Sequence, residues 1–279
     1  MVITPERHNC SGPQLSVLGT LVSATSYGGM LRLCRTWIEE KGRHPQARYA
    51  VILNVHSVMT AWSDRAYAKA LNTADAATPD GMPLVWALRS LGAAGQRRVY
   101  GPDLMLALCG QATRLGHRLY LYGGREETLP VLRDALKKRF PALHVAGMHS
   151  PPFRAPTPEE DAACVCDIAA SGADIVFVGI GVPKQERWMY DHRGSLAGVV
   201  MFGVGAAFDF HAGTVRQAPA WMQGAGLEWL FRLCMEPRRL WKRYVLLNPL
   251  FLLLLALQLL RILRYPPPAD GRSTAEQTA

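Results

Sequence analysis

The regular alternation of short apolar runs with helix-like segments is the feature that most constrains how this chain can fold. Five runs are predicted as strands, at residues 49–55, 118–122, 144–148, 174–180 and 198–204. The segments between them repeat apolar side chains at spacings of three and four, which predicts helices at residues 83–91, 103–115, 126–140, 158–171 and 184–193. Because such alternation builds parallel sheets with crossover helices, we predict an α/β fold with a Rossmann-like core and helices on both faces.

The alternation stops in the last part of the chain, where Trp, Leu and Arg predominate. We therefore predict a core over residues 1–213, a basic and apolar helical appendage over residues 214–265, and a disordered polar tail over residues 266–279. The first appendage helix is expected at residues 219–235. Pro237 is suited to the first position of the next helix, where its missing N–H costs no hydrogen bond.

The appendage carries an apolar run over residues 245–263. Its cleanest stretch, residues 250–257, is shorter than the ~20 residues that cross a bilayer. Basic side chains flank the run on both sides: Arg232, Arg238, Arg239, Lys242, Arg243, Arg261 and Arg264. This pattern favours a peripheral helix on an anionic membrane surface over a spanning helix. A buried hydrophobic hairpin or a dimer interface is the alternative, so a homo-oligomer stays open.

Charge and cysteine content narrow the class of protein. A formal net charge of +9, from 31 Lys and Arg against 22 Asp and Glu, suits an anionic partner such as nucleic acid, an acidic membrane or a phosphorylated substrate. The basic residues lie beside an apolar run rather than among the exposed aromatic side chains of a groove, which argues against nucleic acid. The cysteines lack the C-x-x-C spacing of zinc or redox sites, and residues 15–24 make a poor signal peptide. We therefore expect an unsecreted protein in a reducing compartment.

Two polar segments near predicted strand ends are candidates for a site, because open α/β sheets bind ligands outside the carboxyl ends of their strands. Asn54 ends the first strand, and the turn Thr78-Pro79-Asp80-Gly81 follows it. Asp80 suits either a plain turn or a catalytic carboxylate. In the second segment, Arg98 precedes Asp103, which is a candidate N-cap of the following helix.

Two glycine turns follow later strands, at residues 178–186 and 202–210. Each lacks the third glycine of a dinucleotide fingerprint, because Lys184 and Phe208 stand in its place. Glycine lets the backbone approach a ligand closely, and the first turn of a helix offers free N–H donors to phosphate or sugar. The turns therefore suggest that the sheet binds a nucleotide without a dinucleotide-binding fingerprint. Glu186 also fits a simple first-turn acid that complements the helix dipole.

Together these segments resemble the WecG/TagA/CpsF glycosyltransferases, glycosyltransferase family 26, over about residues 15–250. The resemblance is carried by Thr78-Pro79-Asp80-Gly81, Pro183-Lys184-Gln185-Glu186, Gly203-Val204-Gly205-Ala206-Ala207-Phe208-Asp209, Ala218-Pro219-x-Trp221-Met222 and Gly226-Leu227-Glu228-Trp229-Leu230. It implies an inverting enzyme that moves a sugar from a UDP-sugar to a lipid-linked acceptor, usually an undecaprenyl-diphosphate-sugar. It further implies that the enzyme acts at the cytoplasmic face of the bacterial inner membrane, in the synthesis of teichoic acid, enterobacterial common antigen, capsule or exopolysaccharide.

The resemblance also implies roles for individual residues. Asp80 matches the proposed catalytic base, while Asn54, Arg98 and Gln185 match the contacts to sugar and nucleotide. The arginines that would hold the diphosphate match Arg232, Arg239 and Arg243, with Arg238 and Lys242 as neighbours that could replace them. One departure is Ile52, which stands where family members often have a threonine, so one donor contact is lost or replaced.

Inverting sugar transfer requires the same kinds of residues, since it needs a base to deprotonate the acceptor hydroxyl and cations to stabilise the departing diphosphate. The sequence has no Asp-x-Asp motif of the kind that positions a metal ion on UDP. We therefore expect a metal-independent enzyme without a cofactor, whose partners are a UDP-sugar, a lipid-linked acceptor and an anionic membrane. The alternatives are a nucleotide-dependent oxidoreductase on the same core and a non-enzymatic assembly protein that docks to the membrane.

Overall fold

The computed structural model describes residues 12–265, and within them the side chains of Ala220 and Arg243 are not described. The predicted tail at residues 266–279 lies outside the described residues. The chain begins with an antiparallel hairpin of β1 (Gln14–Val17) and β2 (Thr20–Ser23). The main sheet is built from β3 (Arg48–Leu53), β4 (Ala76–Pro79), β5 (Arg118–Gly123), β6 (His144–His149), β7 (Ile175–Gly179) and β8 (Val200–Gly203).

All pairs in the six-stranded sheet are parallel, and its order is β4-β3-β8-β7-β5-β6. The core helices are α1 (Tyr27–Glu39), α2 (Val55–Ser63), α3 (Arg65–Asn72), α4 (Met82–Ser90), α5 (Gly101–Leu115), α6 (Thr128–Arg139), α7 (Pro158–Ser171), α8 (Lys184–His192) and α9 (Ala207–His211). The predicted α/β, Rossmann-like class is confirmed. Each predicted strand and helix of the core lies within two residues of an observed one at both ends.

Helices cover both faces of the sheet. Successive side chains of β3 point to opposite sides, so Val51 joins a cluster with α2, α3, α4, α7 and α8, whereas Ile52 joins a cluster with α1, α5, α6 and α9. Both clusters consist of buried apolar side chains, and burial of this kind stabilises the fold by roughly 25 cal/mol for each Å² removed from water.

The C-terminal part consists of α10 (Ala220–Gly224), α11 (Glu228–Met235), α12 (Pro237–Lys242), a π-helical segment (Arg243–Leu247) and α13 (Asn248–Leu259). The single helix expected over residues 219–235 is wrong, because the chain turns between α10 and α11. Gly226 adopts a φ of 73° there, a left-handed conformation that ends a helix. The predicted helix start at Pro237 is confirmed.

One face of α13 packs on the core. Phe251, Leu254 and Leu255 are buried in the same cluster as the hairpin residue Val17. Gln258 fastens the end of the helix, since its Oε1 accepts from the Leu18 N–H at 2.9 Å and its Nε2 donates to the Ser16 carbonyl at 2.8 Å. The opposite face of α13 stays exposed to solvent.

The helical stretch at the C-terminus is longer than its apolar run. Pro237–Leu259 spans 23 residues with a mean hydropathy of 1.5, and among the described residues it is the one helix long and apolar enough to cross a membrane. A buried core helix passes the same test of length and composition, and 24% of the most apolar window is buried inside the protein. Length and composition therefore do not distinguish a helix that spans a membrane from one that lies on a membrane surface.

Candidate functional site

A cleft of about 630 Å³ opens at the carboxyl ends of β3, β4, β7 and β8. The core supplies one wall and the C-terminal helices α11 and α12 supply the other. The polar and glycine residues of the core wall are Asn54, His56, Asp80, Tyr100, Gly101, Gly181, Gln185, Gly203 and Gly205, and the C-terminal wall includes Glu228, Arg232, Arg239, Leu240 and Lys242. The two parts of the chain therefore build one site together.

A narrower cavity of about 90 Å³ adjoins this cleft. Met82, Trp229 and Tyr244 line it together with Arg98 and Asn248, so its walls combine apolar and polar side chains. The residues shared by both spaces are Asn54, His56, Asp80, Glu228 and Arg232. Asp80 thus lies where a group bound in one space would meet a group bound in the other.

Asp80 follows directly after β4, a strand that periodicity did not predict. Its N–H donates to the Leu53 carbonyl at 2.8 Å, which fixes the turn against the end of β3. The Asp80 side chain is 19% exposed, so its carboxylate faces the cleft from a largely buried position. The turn interpretation and the site interpretation of Asp80 are therefore compatible.

The guanidinium of Arg98 connects Asp80 with a second carboxylate. Its Nη2 lies 3.0 Å from Asp80 Oδ1 and 2.6 Å from Glu228 Oε2, and its Nε donates to Asp80 Oδ1 at 3.2 Å and to the Asp80 carbonyl. Tyr100 OH donates to Glu228 Oε1 at 3.3 Å, and Arg98 Cζ lies 4.1 Å from the centre of the Tyr100 ring. One cation therefore serves two carboxylates from distant parts of the chain.

Burial raises the pKa of Asp80 to about 6, against the positive charge of Arg98, which lowers it. The negative charge of Glu228 raises the pKa of Asp80 further, and Arg232 lowers it. A carboxylate with such a pKa is charged at neutral pH and more basic than an ordinary surface aspartate. It has the protonation behaviour required of a general base.

Asn54 and Gln185 both line the cleft, but their side chains also make local hydrogen bonds. Asn54 is the N-cap of α2, and its Oδ1 accepts from the Ser57 N–H at 3.2 Å. Gln185 is 2% exposed, and its Oε1 accepts from the Gly181 N–H at 3.2 Å. The structure brings both residues to the cleft, and their contacts to sugar and nucleotide stay predictions.

The glycine turns bring Gln185 against the end of β8. A Cβ on Gly203 would lie 2.8 Å from Met189 Cε and 3.0 Å from Gln185 Nε2, so only glycine fits there without displacement. Gln185 Nε2 donates to Glu186 Oε1 at 2.9 Å. Glu186 occupies the first turn of α8 as expected, but it is fully buried and burial raises its pKa to about 7. Its main contact is thus with Gln185.

Two of the three predicted C-terminal arginines lie at the cleft. Arg232 and Arg239 line it together with Lys242, whereas Arg238 is not among the lining residues that the structure describes. The Arg243 side chain lies outside the described part of the chain. Arg239 also pairs with Glu236. Lys242 is therefore the better supported of the two substitutes that the sequence offered.

The sequence did not single out Tyr100, His56 or Glu228 as site residues, although all three line the cleft. The sequence could have indicated Glu228 in two ways, since it belongs to a motif that carries the family resemblance and it is an acid within a basic and apolar segment. The N-cap expected at Asp103 is wrong: α5 begins at Gly101 with Tyr100 as its N-cap, so Asp103 lies in the first turn. Glycine and proline at the first two positions move this helix start upstream.

Ile52 also lies in the cleft wall, where the resemblance led us to expect a donor contact. Its Cδ1 would lie 3.3 Å from a Cβ on Gly101, so the side chain is in close contact with the start of α5. An isoleucine offers no hydrogen bond, which makes this part of the wall apolar.

No metal site is evident within residues 12–265, since no three His, Cys, Asp or Glu side chains there lie close enough together to hold an ion. Metal independence stays a prediction, because a donor that brings its own ion would need fewer protein ligands.

Comparisons with known proteins agree with the geometry. A model of the glycosyl transferase WecG/TagA/CpsF family matches residues 15–265. The chain is 31% identical over 192 residues to an N-acetylglucosaminyldiphosphoundecaprenol N-acetyl-beta-D-mannosaminyltransferase of Bacillus subtilis strain 168, which covers 68% of this chain and 72% of that protein. A protein of the same description from Bacillus spizizenii strain W23 is 31% identical over 196 residues, 70% of this chain and 74% of the relative.

Proposed function

The chain belongs to the WecG/TagA/CpsF family of glycosyltransferases, and from this premise we propose that it transfers a sugar from a UDP-sugar to a lipid-linked diphosphate-sugar with inversion at the anomeric carbon. The names of the two relatives support the acceptor class, since both include N-acetylglucosaminyldiphosphoundecaprenol. The family resemblance seen in the motifs is confirmed, as is the enzyme class. Family membership also removes the two alternatives, an oxidoreductase and a non-enzymatic assembly protein.

The observation that carries the proposal is the place of Asp80 between two adjoining spaces. An acceptor hydroxyl next to Asp80 would lose its proton to the carboxylate as its oxygen attacks the anomeric carbon. The bond from that carbon to the UDP oxygen breaks on the opposite face, and the configuration inverts. General base catalysis of this kind contributes on the order of 10²–10⁴ in rate.

The departing diphosphate needs cations, and the C-terminal wall offers them. Arg232, Arg239 and Lys242 line the same cleft as Asp80. Charge-assisted hydrogen bonds from arginine to phosphate are about twice as strong as neutral ones, and they act best where water is excluded. We assign the diphosphate to this wall and the nucleotide to the glycine turns at Gly181 and Gly205.

The exposed face of the C-terminal helices supports a peripheral position on the cytoplasmic side of the inner membrane. Large apolar side chains that are exposed in this part of the chain include Trp241, Val245, Leu246, Leu252, Leu253, Leu260 and Ile262. Basic residues that include Arg238 and Arg261 lie next to them in the chain. An apolar face rimmed by positive charge binds anionic lipid surfaces, where the lipid-linked acceptor resides.

The test is an assay of the full chain with a panel of UDP-sugars and a short-chain lipid-diphosphate-N-acetylglucosamine acceptor, with UDP release as the readout. We expect one UDP-sugar to be turned over only when the acceptor is present. The assay is repeated in excess EDTA, where we expect turnover to persist. Release of UDP at the same rate without acceptor, or with no member of the panel, would contradict the proposal.

A further inference from the structure

Glu228 belongs to the C-terminal helices but makes its contacts in the core. It is the first residue of α11, and its side chain is 12% exposed. Its two carboxylate oxygens face different partners, Arg98 Nη2 at 2.6 Å and Tyr100 OH at 3.3 Å. Both partners are 128 or more residues away in the chain, so these bonds are a specific link between the two walls of the cleft.

We propose that Glu228 is a positioning residue for the transfer reaction: it shares the guanidinium of Arg98 with Asp80, and so keeps Asp80 an effective base while the C-terminal helices are docked. The inference rests on the proposed role of Asp80 as the base. Glu228 itself acts through Arg98 and touches no reacting atom.

Glu228 acts on Asp80 through the balance of charge around Arg98. Arg98 carries one positive charge and faces two carboxylates, and its Nη2 donates to both. An aspartate that pairs alone with an arginine becomes a weaker base, since such a pair lowers a carboxyl pKa by about 1–3 units. A second carboxylate on the same guanidinium opposes that effect. The direction agrees with the raised pKa of Asp80, to which Glu228 contributes.

The other groups that face Asp80 do not supply this balance. Arg232 of α11 lowers the pKa of Asp80, which is opposite to the effect of Glu228. Tyr100 before α5 and Tyr27 of α1 stay neutral, because burial raises the pKa of both phenols, that of Tyr27 to about 12. His56 of α2 lines the same two spaces as Asp80 and is not a carboxylate, so it cannot replace Glu228 on the guanidinium of Arg98.

Geometry gives Glu228 a second effect. The guanidinium is a rigid planar fork, so a bond to Nη2 restricts the orientation of the whole group. Stacking of Arg98 over the Tyr100 ring, and the bond from Tyr100 OH to Glu228, hold the same arrangement from the other side. Loss of Glu228 would therefore leave Arg98 free to pair more fully with Asp80.

The test compares the pH dependence of kcat/KM for the wild-type protein and Glu228→Gln, with the full chain and the acceptor used above. Glutamine keeps an oxygen for Arg98 Nη2 and removes the negative charge. We expect the acid limb to move to lower pH by roughly 0.5–1.5 units and the plateau to fall about three- to tenfold, because a weaker base transfers the proton less readily. Glu228→Asp, which restores the charge, should return the limb towards the wild-type position.

The matched control is Glu39→Gln on α1, which breaks an exposed ion pair with Arg35 and should leave the profile unchanged. If Glu228→Gln does not fold, Tyr100→Phe is used instead, since it removes only the hydroxyl that holds Glu228 Oε1. It should shift the acid limb in the same direction by a smaller amount.

The inference would be overturned if the acid limb of Glu228→Gln, or of Tyr100→Phe used in its place, superimposes on that of the wild type. This holds even if kcat falls, because a purely structural link lowers the rate without moving the acid limb. Asp80→Asn is measured in parallel. If that variant turns over, the base assignment fails, whereas an inactive Asp80→Asn with an unshifted Glu228 variant defeats the inference alone.

Discussion

Arg98 is the residue whose surroundings say most about the site. The resemblance implied a contact to sugar or nucleotide, and the structure shows its guanidinium between Asp80 and Glu228, with its side chain 18% exposed. A guanidinium has five donors, so the group retains capacity for a ligand while it holds both carboxylates. Binding of a ligand by Arg98 stays a prediction, and its pairing with Asp80 does not depend on it.

The pH dependence of turnover follows from Asp80. A base must be unprotonated to act, so activity should fall as pH drops through its pKa. Because burial raises that pKa to about 6, we expect the acid limb of kcat/KM near pH 6, well above the value near 4 of an ordinary aspartate. A profile measured from pH 4 to 8 tests this, and activity that is constant down to pH 4.5 would contradict it.

Sequence patterns predicted the long elements of the fold well. β5, β7 and β8 have continuous apolar runs, and the helices that follow have clear spacing. β4 was missed, because a four-residue strand of sequence Ala-Ala-Thr-Pro has little apolar signal and depends on its neighbour β3 for pairing. The helices α1–α3 and α9 and the β1–β2 hairpin were not predicted.

The candidate site was predicted in part. Asn54 and Gln185 lie near the ends of predicted strands, and parallel topology brings such ends together, so it could be expected that both reach one cleft. Asp80 follows β4, which was missed, so its place in the cleft is shown only by the structure. Tyr100 and Glu228 could not be found in this way, because their bond joins residues 128 apart and no local pattern encodes it. Side chains that complete a site from a second part of the chain are visible only in the folded structure.

At the scale of elements, α13 has one buried and one exposed apolar face. Phe251 packs in the core, whereas Leu252 and Leu253 are 51% and 57% exposed. Deletion of the whole helix would expose the core, so point changes on the outer face give a cleaner test of membrane binding. Exposed leucines gain stability by entering the membrane interface.

We expect the double change Leu252→Gln and Leu253→Gln to weaken binding to phosphatidylglycerol-containing vesicles on the order of tenfold, since two large apolar groups no longer enter the interface. Turnover of a water-soluble acceptor and the Tm should be retained. Val131→Gln, an equally exposed change on α6, is the control. Unaltered vesicle binding by the double variant would mean that another surface holds the membrane.

At the scale of the whole molecule, the positive charge and the apolar surface are concentrated in the segment that completes the cleft. The core supplies Asp80, and the C-terminal helices supply Glu228, Arg232 and Arg239. The proposed diphosphate contacts and the proposed membrane contact therefore lie in the same C-terminal part of the chain. The predicted boundary at residue 213 is therefore a change in composition that falls within one functional site.

Asp80 is proposed as the catalytic base of this glycosyltransferase, and the rate of UDP release by Asp80→Asn measures that role. The amide keeps the size of the side chain but cannot take the proton, so turnover should fall on the order of 10²–10⁴-fold. Binding of the UDP-sugar should stay within a few-fold, and Asp134→Asn, an exposed change on α6, should behave as wild type. Near-wild-type turnover by a folded Asp80→Asn variant would show that Asp80 is not the catalytic base.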